Sequence, residues 1–345
     1  MPHARFSRPR PRAYGAWLLV VAAMVLAIVV VGGITRLTES GLSITEWKPV
    51  RGIVPPLNDA QWQEEFAGYK AIPQYRAFNT SMTLDGFKHI YFWEYLHRLL
   101  ARLIGLTLAA VLAVFWWKKW IPRGYGWRTV LILGLGGLQG AIGWWMVASG
   151  LEQRTEVSHI RLAVHLMAAM LIYAVLIWTA LDLRTARQPA RLRLAPLLAI
   201  LMLAVQLALG ALTAGLRAGY AFATWPRMGD AWLPAGAWAH GQSALFNLTS
   251  NPVVVQFVHR WWAWAAAAAA LWLAAHAARA GAVTRAGALL ALVAIQIGLG
   301  IATLLSGVAL PLAVAHQAVG ALLLGAMVAA AHGVGAALHG RTFTS

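Results

Sequence analysis

Eight apolar stretches, each long enough to cross a lipid bilayer, constrain this chain more than any other feature. A helix needs about 20 mostly apolar residues to span the hydrocarbon core, and the stretches have this length without the alternation of a barrel strand. Helices satisfy their own backbone hydrogen bonds in lipid, so the sequence predicts an all-α polytopic membrane protein with eight transmembrane helices. The stretches lie near 14–34, 92–117, 128–148, 160–181, 195–215, 256–278, 284–305 and 311–335.

The positions of the basic residues predict how these helices are oriented. Lys and Arg number 28 against 11 acidic residues, and the cytoplasmic connections of membrane proteins are enriched in basic residues. We therefore expect a multi-pass protein of the bacterial inner membrane with both termini in the cytoplasm. The net charge of +17 is then explained by topology and by contact with anionic lipid, without a nucleic-acid partner. The basic clusters are Arg5, Arg8, Arg10 and Arg12, then Lys118, Lys119, Arg123 and Arg128, then Arg184, Arg187, Arg191 and Arg193.

An internal repeat divides the chain into two halves. Four pairs of segments match in the same order, and internal repeats indicate a duplicated structural unit. Each half holds an even number of helices, so both copies have the same orientation in the membrane. The sequence thus predicts two pseudo-symmetric four-helix bundles. The matching pairs are 32–35 with 210–213, 94–98 with 256–260, 138–143 with 295–300, and 162–165 with 313–316.

The repeat and the apolar stretches also predict the domain limits. A long outer loop, 35–91, belongs to the first bundle, and we expect it to form a small cap over the outer surface. Trp47, Trp62, Phe66 and Tyr69 of this loop are expected at the interface as an aromatic belt. The expected segments are a cytoplasmic N-terminal segment 1–13, a first bundle 14–183, a cytoplasmic linker 184–194, a second bundle 195–335 and a cytoplasmic tail 336–345.

Four histidines occupy equivalent repeat positions near the outer boundary: His97, His165, His259 and His316. An ionisable side chain in a membrane helix is costly unless something binds it. Two imidazoles opposed across a bundle core are what a haem iron accepts as axial ligands. A lone histidine would be better explained as a hydrogen-bonded interface residue, and zinc usually needs closer ligand clusters. Four at equivalent positions favour haem.

The remaining residue counts narrow the possible metal ligands. The chain has no cysteine, which excludes disulfides, thiolate metal sites and cysteine nucleophiles. The other histidines show no such pattern across the two halves, and we do not expect them to be ligands. They are His3, His89, His159, His240, His276, His332 and His339.

Residues beside two of the four histidines are further candidates. Arg98 and Arg260 follow them directly and are candidates for binding haem propionates, because a guanidinium binds a carboxylate through two parallel N–H donors. Snorkelling to the interface is the alternative. Glu94 precedes His97 by one helical turn, whereas Gln256 takes its place in the second half. A carboxylate can take protons and an amide cannot, so Glu94 is the candidate catalytic residue and the first half the candidate reactive half.

Residues 32–43, together with Glu46-Trp47-Lys48-Pro49 and Glu94-Tyr95-Leu96-His97-Arg98, resemble the haem A synthase family, specifically its cysteine-free proteobacterial and mitochondrial branch. The resemblance covers all eight helices. It implies oxidation of the C8 methyl of haem O to the formyl group of haem A, by successive hydroxylations, for use in terminal oxidases. Carried over by position, it implies that His259 and His316 ligate a permanent haem b, and that His97 and His165 ligate the substrate or product haem.

The same resemblance implies partners. These are the substrate haem O, membrane lipid, the haem O synthase and an electron acceptor, and a homo-oligomer is a further option. A di-haem b-type cytochrome that only transfers electrons is the alternative function, because paired histidines across a bundle serve that role too. A transporter is also suggested by the repeat, but the helices show no Gly/Pro-broken pair at the midplane.

Overall fold

The structure, a computed structural model, describes residues 9–47, 51–152, 154–185 and 190–341. Parts of the expected N-terminal segment, linker and tail therefore lie outside the described residues. The individual predictions that fall outside them concern His3, Arg5, Arg8, Lys48, Pro49 and Arg187.

The described residues form helices joined by turns and loops. Eight helices have at least 22 residues, and three short ones lie in the two longest connections. In chain order they are α1 (Pro11–Leu37), α2 (Asp59–Lys70), α3 (Pro73–Phe78), α4 (Leu84–Trp117), α5 (Gly126–Leu151), α6 (His159–Thr185), α7 (Leu194–Gly215), α8 (Ala244–Ser250), α9 (Pro252–Arg279), α10 (Val283–Leu305) and α11 (Leu310–Arg341).

Seven of the eight long helices are long and apolar enough to cross a membrane, so the chain is a multi-pass membrane protein. The exception is α9, whose first turns carry Gln256, His259 and Arg260 and whose remainder is largely Ala and Trp. Helix α4 begins at Leu84 rather than near 92, because the hydroxyl of Thr83 accepts a hydrogen bond from the Gly86 N–H at 3.2 Å and caps the helix there. Its first two turns therefore belong to the outer cap.

The long helices pack into one continuous core. In the first half α1 lies against α4 and α6, and α5 lies against α6; in the second, α9 packs on α7 and α10, and α10 on α11. The halves meet where α1 and α6 contact α11 and where α6 contacts α7. Tyr14, Leu176, Leu273 and Met327 are fully buried along these contacts.

The outer cap has a hydrophobic core of its own. Tyr69 and Phe87 are fully buried, and Phe66 stacks on Phe87 with ring centroids 4.9 Å apart. The expected aromatic belt is wrong for Phe66 and Tyr69, because α2 turns these rings onto the first turns of α4 instead of toward lipid. Trp47 remains about half exposed, at 48%.

A buried ionic cluster joins α5, α6 and α11 at the end of the bundle opposite the cap. Asp182 on α6 lies 2.9 Å from Nε2 of His332 on α11 and 2.7 Å from Nη1 of Arg128 on α5. The N–H of Ala190 donates to the same carboxylate at 2.9 Å. The side chains of Asp182 and His332 are 0% and 1% exposed. Losing the carboxylate leaves Arg128 without its ion pair and leaves the buried His332 and the Ala190 N–H without their partner.

The Asp182→Ala variant is therefore expected to lower the free energy of unfolding by about 3–5 kcal/mol, measured by thermal unfolding in detergent. Asp85→Ala is the matched control, because Asp85 is 94% exposed and its contact with Lys88 is 3.9 Å long. That control should change stability by less than about 1 kcal/mol. Equal losses in the two variants would contradict the role of the buried ionic cluster.

Candidate functional site

Each of the four histidines singled out in the sequence lies against a glycine on a neighbouring helix. A methyl group built on Gly32 of α1 would lie only 2.8 Å from Cε1 of His97 on α4. The same construction gives 3.0 Å between Gly143 and His165, 3.1 Å between Gly210 and His259, and 3.0 Å between Gly300 and His316. Any larger residue would push the ring, so glycine fixes how closely each imidazole approaches its neighbouring helix.

The two histidines of the second half face each other. The ring centroids of His259 on α9 and His316 on α11 are 6.5 Å apart, with the ring planes at 86°. A metal bound by two imidazoles, with metal–nitrogen distances of about 2 Å, separates the ring centres by roughly 6 to 6.5 Å. The pair therefore fits two axial ligands on opposite sides of one metal.

The first half also places its two histidines near each other. His97 lies on α4 and His165 on α6, within electrostatic range of each other. Within the described ranges, no group of three or more His, Cys, Asp or Glu side chains lies together. The histidines thus stand as pairs, which suits a macrocycle-bound iron better than a tetrahedral zinc site.

Two glutamines contact the histidines, and the sequence interpretation gave them no role. The amide nitrogen of Gln139 lies 3.2 Å from Nδ1 of His165 and donates to the carbonyl oxygen of His165 at 3.0 Å. Gln206 makes the same two contacts with His259, both at 3.1 Å. The signal was available, because Gln139 and Gln296 both lie in the matched segments 138–143 and 295–300, four residues before the glycine.

Glu94 is buried, with 3% exposure, and both of its carboxylate oxygens are engaged. Oε2 accepts from the hydroxyl of Ser43 and from the N–H of Ile44, each at 2.8 Å. Oε1 accepts from Nε and Nη2 of Arg98 at 3.0 and 2.6 Å. Glu94 therefore fastens the start of the outer loop to α4, one helical turn from His97.

Gln256, which takes the place of Glu94 in the second half, also fastens an outer segment. Its amide nitrogen donates to the carbonyl oxygen of Phe222 at 3.0 Å. The position is thus a loop anchor in both halves, and only the first half builds the anchor from a carboxylate.

The arginines that follow His97 and His259 bind outer-loop carbonyls. Arg98 donates to the carbonyl oxygens of Ile44 at 2.7 Å and Glu46 at 3.1 Å. Arg260 donates to those of Pro226 at 3.0 Å and Arg227 at 2.9 Å. The sequence offered propionate binding or snorkelling and did not reveal these partners. Nη2 of Arg260 is buried and has no hydrogen-bond partner among the described residues, so one donor is left for an anionic group.

Three of the other histidines have partners away from the two pairs. His159 contacts the hydroxyl of Ser250 at 3.1 Å, His332 contacts Asp182, and His276 lies 2.9 Å from the carbonyl oxygen of Trp272. These contacts account for them without a ligand role.

An ion network closes the outer surface between the halves. Arg217, which follows α7, contacts Glu39 at 2.6 Å and Glu156 at 2.7 Å, and Glu156 also contacts Arg36 at 3.0 Å. Glu39 follows α1 and Glu156 precedes α6, so the network ties the outer ends of three long helices together.

Known proteins resemble this chain over most of its length. Residues 15–328 match the family model COX15-CtaA, described as cytochrome oxidase assembly protein. The chain is 66% identical over 331 residues to the haem A synthase of Rhizorhabdus wittichii, covering 94% of this chain and 95% of that protein. It is 52% identical over 340 residues to the haem A synthase of Sphingopyxis alaskensis, covering 97% and 95%. For the haem A synthase of Novosphingobium aromaticivorans the identity is 51% over 338 residues, covering 94% and 95%.

The contact between Gly300 and His316 can be tested with two glycines of the same helix, α10. If His316 is a haem ligand, Gly300→Ala should displace its ring by a few tenths of an ångström and shift the absorption spectrum of the haem that it binds. Gly298→Ala is the matched control, because a methyl group there meets nothing within 4 Å. It should leave the spectrum unchanged and gain helix propensity. Identical spectra in the two variants would contradict a ligand position for His316.

Proposed function

Because this chain belongs to the COX15-CtaA family of cytochrome oxidase assembly proteins, we propose that it is a haem A synthase. The reaction is oxidation of the C8 methyl of haem O to the formyl group of haem A by successive hydroxylations. Haem O is the substrate and haem A the product, and the product serves terminal oxidases.

The observation that carries the proposal is the opposed pair His259 and His316, with ring centroids 6.5 Å apart. This spacing suits two axial ligands of a resident haem b, which would supply one-electron redox chemistry. His97 and His165 would hold the iron of the substrate haem in the first half. Nη2 of Arg260, buried without a partner among the described residues, is a donor for a propionate, and Arg98 is the corresponding residue of the first half.

The proposed architecture has eight membrane-crossing helices, with α9 as the eighth, arranged as two pseudo-symmetric four-helix bundles. Three sets of contacts support it. They are the repeated glycine–histidine contacts, the bonds of Arg98 and Arg260 to loop carbonyl oxygens, and the loop contacts of Glu94 and Gln256. In each half one helix carries His-Arg and another carries the second histidine. The bundles would comprise 14–183 and 195–335, joined by the linker 184–194.

Glu94 is the proposed catalytic residue. Removing hydrogen from a methyl group releases protons, and a carboxylate near the reacting carbon can accept them or stabilise a developing positive charge. Water would supply the oxygen of the new C–O bond, and an external acceptor would take the electrons. The ion pair with Arg98 and the bonds from Ser43 and Ile44 hold the carboxylate in one place, which such a role requires.

The proposed location is the bacterial inner membrane with both termini in the cytoplasm, supported by the basic residues of the connections. Lipid contact, association with the haem O synthase, an electron acceptor and a homo-oligomer are part of the same proposal. No nucleic-acid partner is included. Failure to co-purify with the haem O synthase in mild detergent would count against that association.

Chromatography of extracted haem tests the two halves separately. His259→Ala and His316→Ala should each lose haem b, because removing one axial ligand weakens the resident site. His97→Ala and His165→Ala should keep haem b and lose bound haem O and haem A together with conversion.

The same measurement separates the enzyme from the electron carrier. Haem b alone at both sites of the wild-type protein would favour the di-haem cytochrome. Loss of haem b from the His97 and His165 variants would reverse the assignment of the halves.

Replacing Glu94 by Gln removes the carboxylate with the smallest change in shape. Because an amide nitrogen cannot accept hydrogen bonds, the variant also gives up one of the two donor sets that hold Glu94. Glu94→Gln should retain both haems and lower the rate of conversion to haem A by about a hundredfold or more. Ser43→Ala is the control, because it removes one hydrogen bond to the carboxylate but leaves the carboxylate itself. It should cost far less activity. Undiminished conversion by Glu94→Gln would remove Glu94 from the mechanism.

A further inference from the structure

We propose that, at three of the four contacting glycines, a glutamine one helical turn earlier orients the histidine ligand. His97, whose glycine lacks this glutamine, is then the exchangeable ligand of the protein. The inference rests on the proposed function and deepens it. It makes Gln139, Gln206 and Gln296 positioning residues. It also says how one duplicated unit can hold one haem permanently and release another.

The glutamines sit in a common register. Gln139 precedes Gly143, Gln206 precedes Gly210 and Gln296 precedes Gly300, each by four residues. Residues four apart lie on the same helix face, so the amide and the glycine address the same histidine. Hydrogen-bond distances place the amides of Gln139 and Gln206 at both Nδ1 and the backbone carbonyl of their histidines.

Gln296 completes the set of three. A backbone group of Gln296 lies near the ring of His316, whereas its side-chain amide lies beside Gly320, one turn further along α11. The Oε1 atoms of Gln139, Gln206 and Gln296 are all buried without a hydrogen-bond partner among the described residues. A buried acceptor without a donor costs stability, so three such atoms at equivalent places indicate that a donor belongs there.

An iron-bound imidazole supplies that donor. A histidine that binds through Nε2 carries its proton on Nδ1, and this N–H is almost always donated to a nearby acceptor. In the structure the amide nitrogen of Gln139 and of Gln206 lies at Nδ1 and also donates to the histidine carbonyl oxygen. Presenting Oε1 to the Nδ1–H therefore requires the amide to turn and give up its bond to that carbonyl oxygen. The bond from Nδ1–H to Oε1 fixes the tautomer and the ring orientation and raises the basicity of the ligand.

The fourth position breaks the pattern. Gly32 contacts His97, but the residue four before it is Ile28. An isoleucine side chain can neither accept nor donate a hydrogen bond. Nδ1 of His97, like that of His316, is buried without a partner among the described residues, so the isoleucine, and not the unpartnered Nδ1, distinguishes His97. Of the four ligand positions, His97 alone faces a helix without the amide.

The amide is missing from the half that must exchange haem O for haem A in the proposed function. Loss of such an outer partner typically lowers metal affinity 10- to 100-fold. The first half must accept haem O and release haem A in every cycle, whereas the second half must keep haem b. A firm ligand at His165 and a looser one at His97 would let the substrate iron come and go from one side.

The test compares haem loss from full-length protein in detergent, with apomyoglobin as the haem acceptor. Ile28→Gln adds the missing amide and should slow transfer of haem O from the first half by about tenfold or more. Ile28→Leu is the matched apolar control and should behave as wild type. Gln139→Leu should speed the same transfer. Unchanged haem b content in all three variants verifies that the protein is folded.

The second half provides the opposite variant. Gln206→Leu should speed loss of haem b by about ten- to a hundredfold. It should also raise the haem b midpoint potential, because a less basic imidazole stabilises the ferric iron less. Gln242→Leu, an exposed outer-loop glutamine, should change neither quantity.

Equal haem O transfer from Ile28→Gln and Ile28→Leu would overturn the inference, as would an unchanged haem b potential in Gln206→Leu. Both results leave the proposed function standing. Wild-type protein that binds haem b but never haem O or haem A would instead overturn the proposed function, and this inference with it.

Discussion

The structure depends on the approach of an imidazole ring to the backbone of a neighbouring helix. Wherever one of the four histidines meets its glycine, a methyl group in the glycine's place would come within about 3 Å of the ring. These contacts set the distance between the two rings of a pair. For His259 and His316 the ring centroids are 6.5 Å apart. Residues far from the rings, such as the buried cluster of Asp182 and His332, keep the helices packed so that this distance is maintained.

The outer loops are fastened to the same helices that carry the ligands. Arg98 and Arg260 follow His97 and His259 directly. Each arginine donates two hydrogen bonds to carbonyl oxygens of the adjoining loop. A loop carbonyl near the membrane has few water molecules to bond, so a charged donor from the helix satisfies it. The loop is thereby joined to the helical turn that carries the histidine.

The sequence patterns predicted the long helices and identified His259 and His316 as candidate ligands, because apolar length and repetition can be read directly along the chain. They failed where a contact joins distant segments. Phe66 was expected at the interface because its burial depends on α2 folding onto α4, which no local period reveals. The bonds of Arg98 and Arg260 to loop carbonyl oxygens were missed for the same reason. Every residue has a backbone carbonyl group, so the sequence does not show which one an arginine binds. The glutamines were visible in the repeat, but their role needed the distance to Nδ1.

The two predicted halves differ in how closely their helices pack. In the second half α9 packs along both α10 and α11, whereas in the first half α4 contacts α5 over a much shorter stretch. A tightly packed bundle cannot release a macrocycle without separating its helices, and separation costs the buried contacts along them. The first half needs less disruption to open, and it is also the half in which Ile28 takes the glutamine's place. In the proposed function, helix packing and ligand support would therefore both be weaker on the side where a bulky, lipid-soluble substrate has to pass.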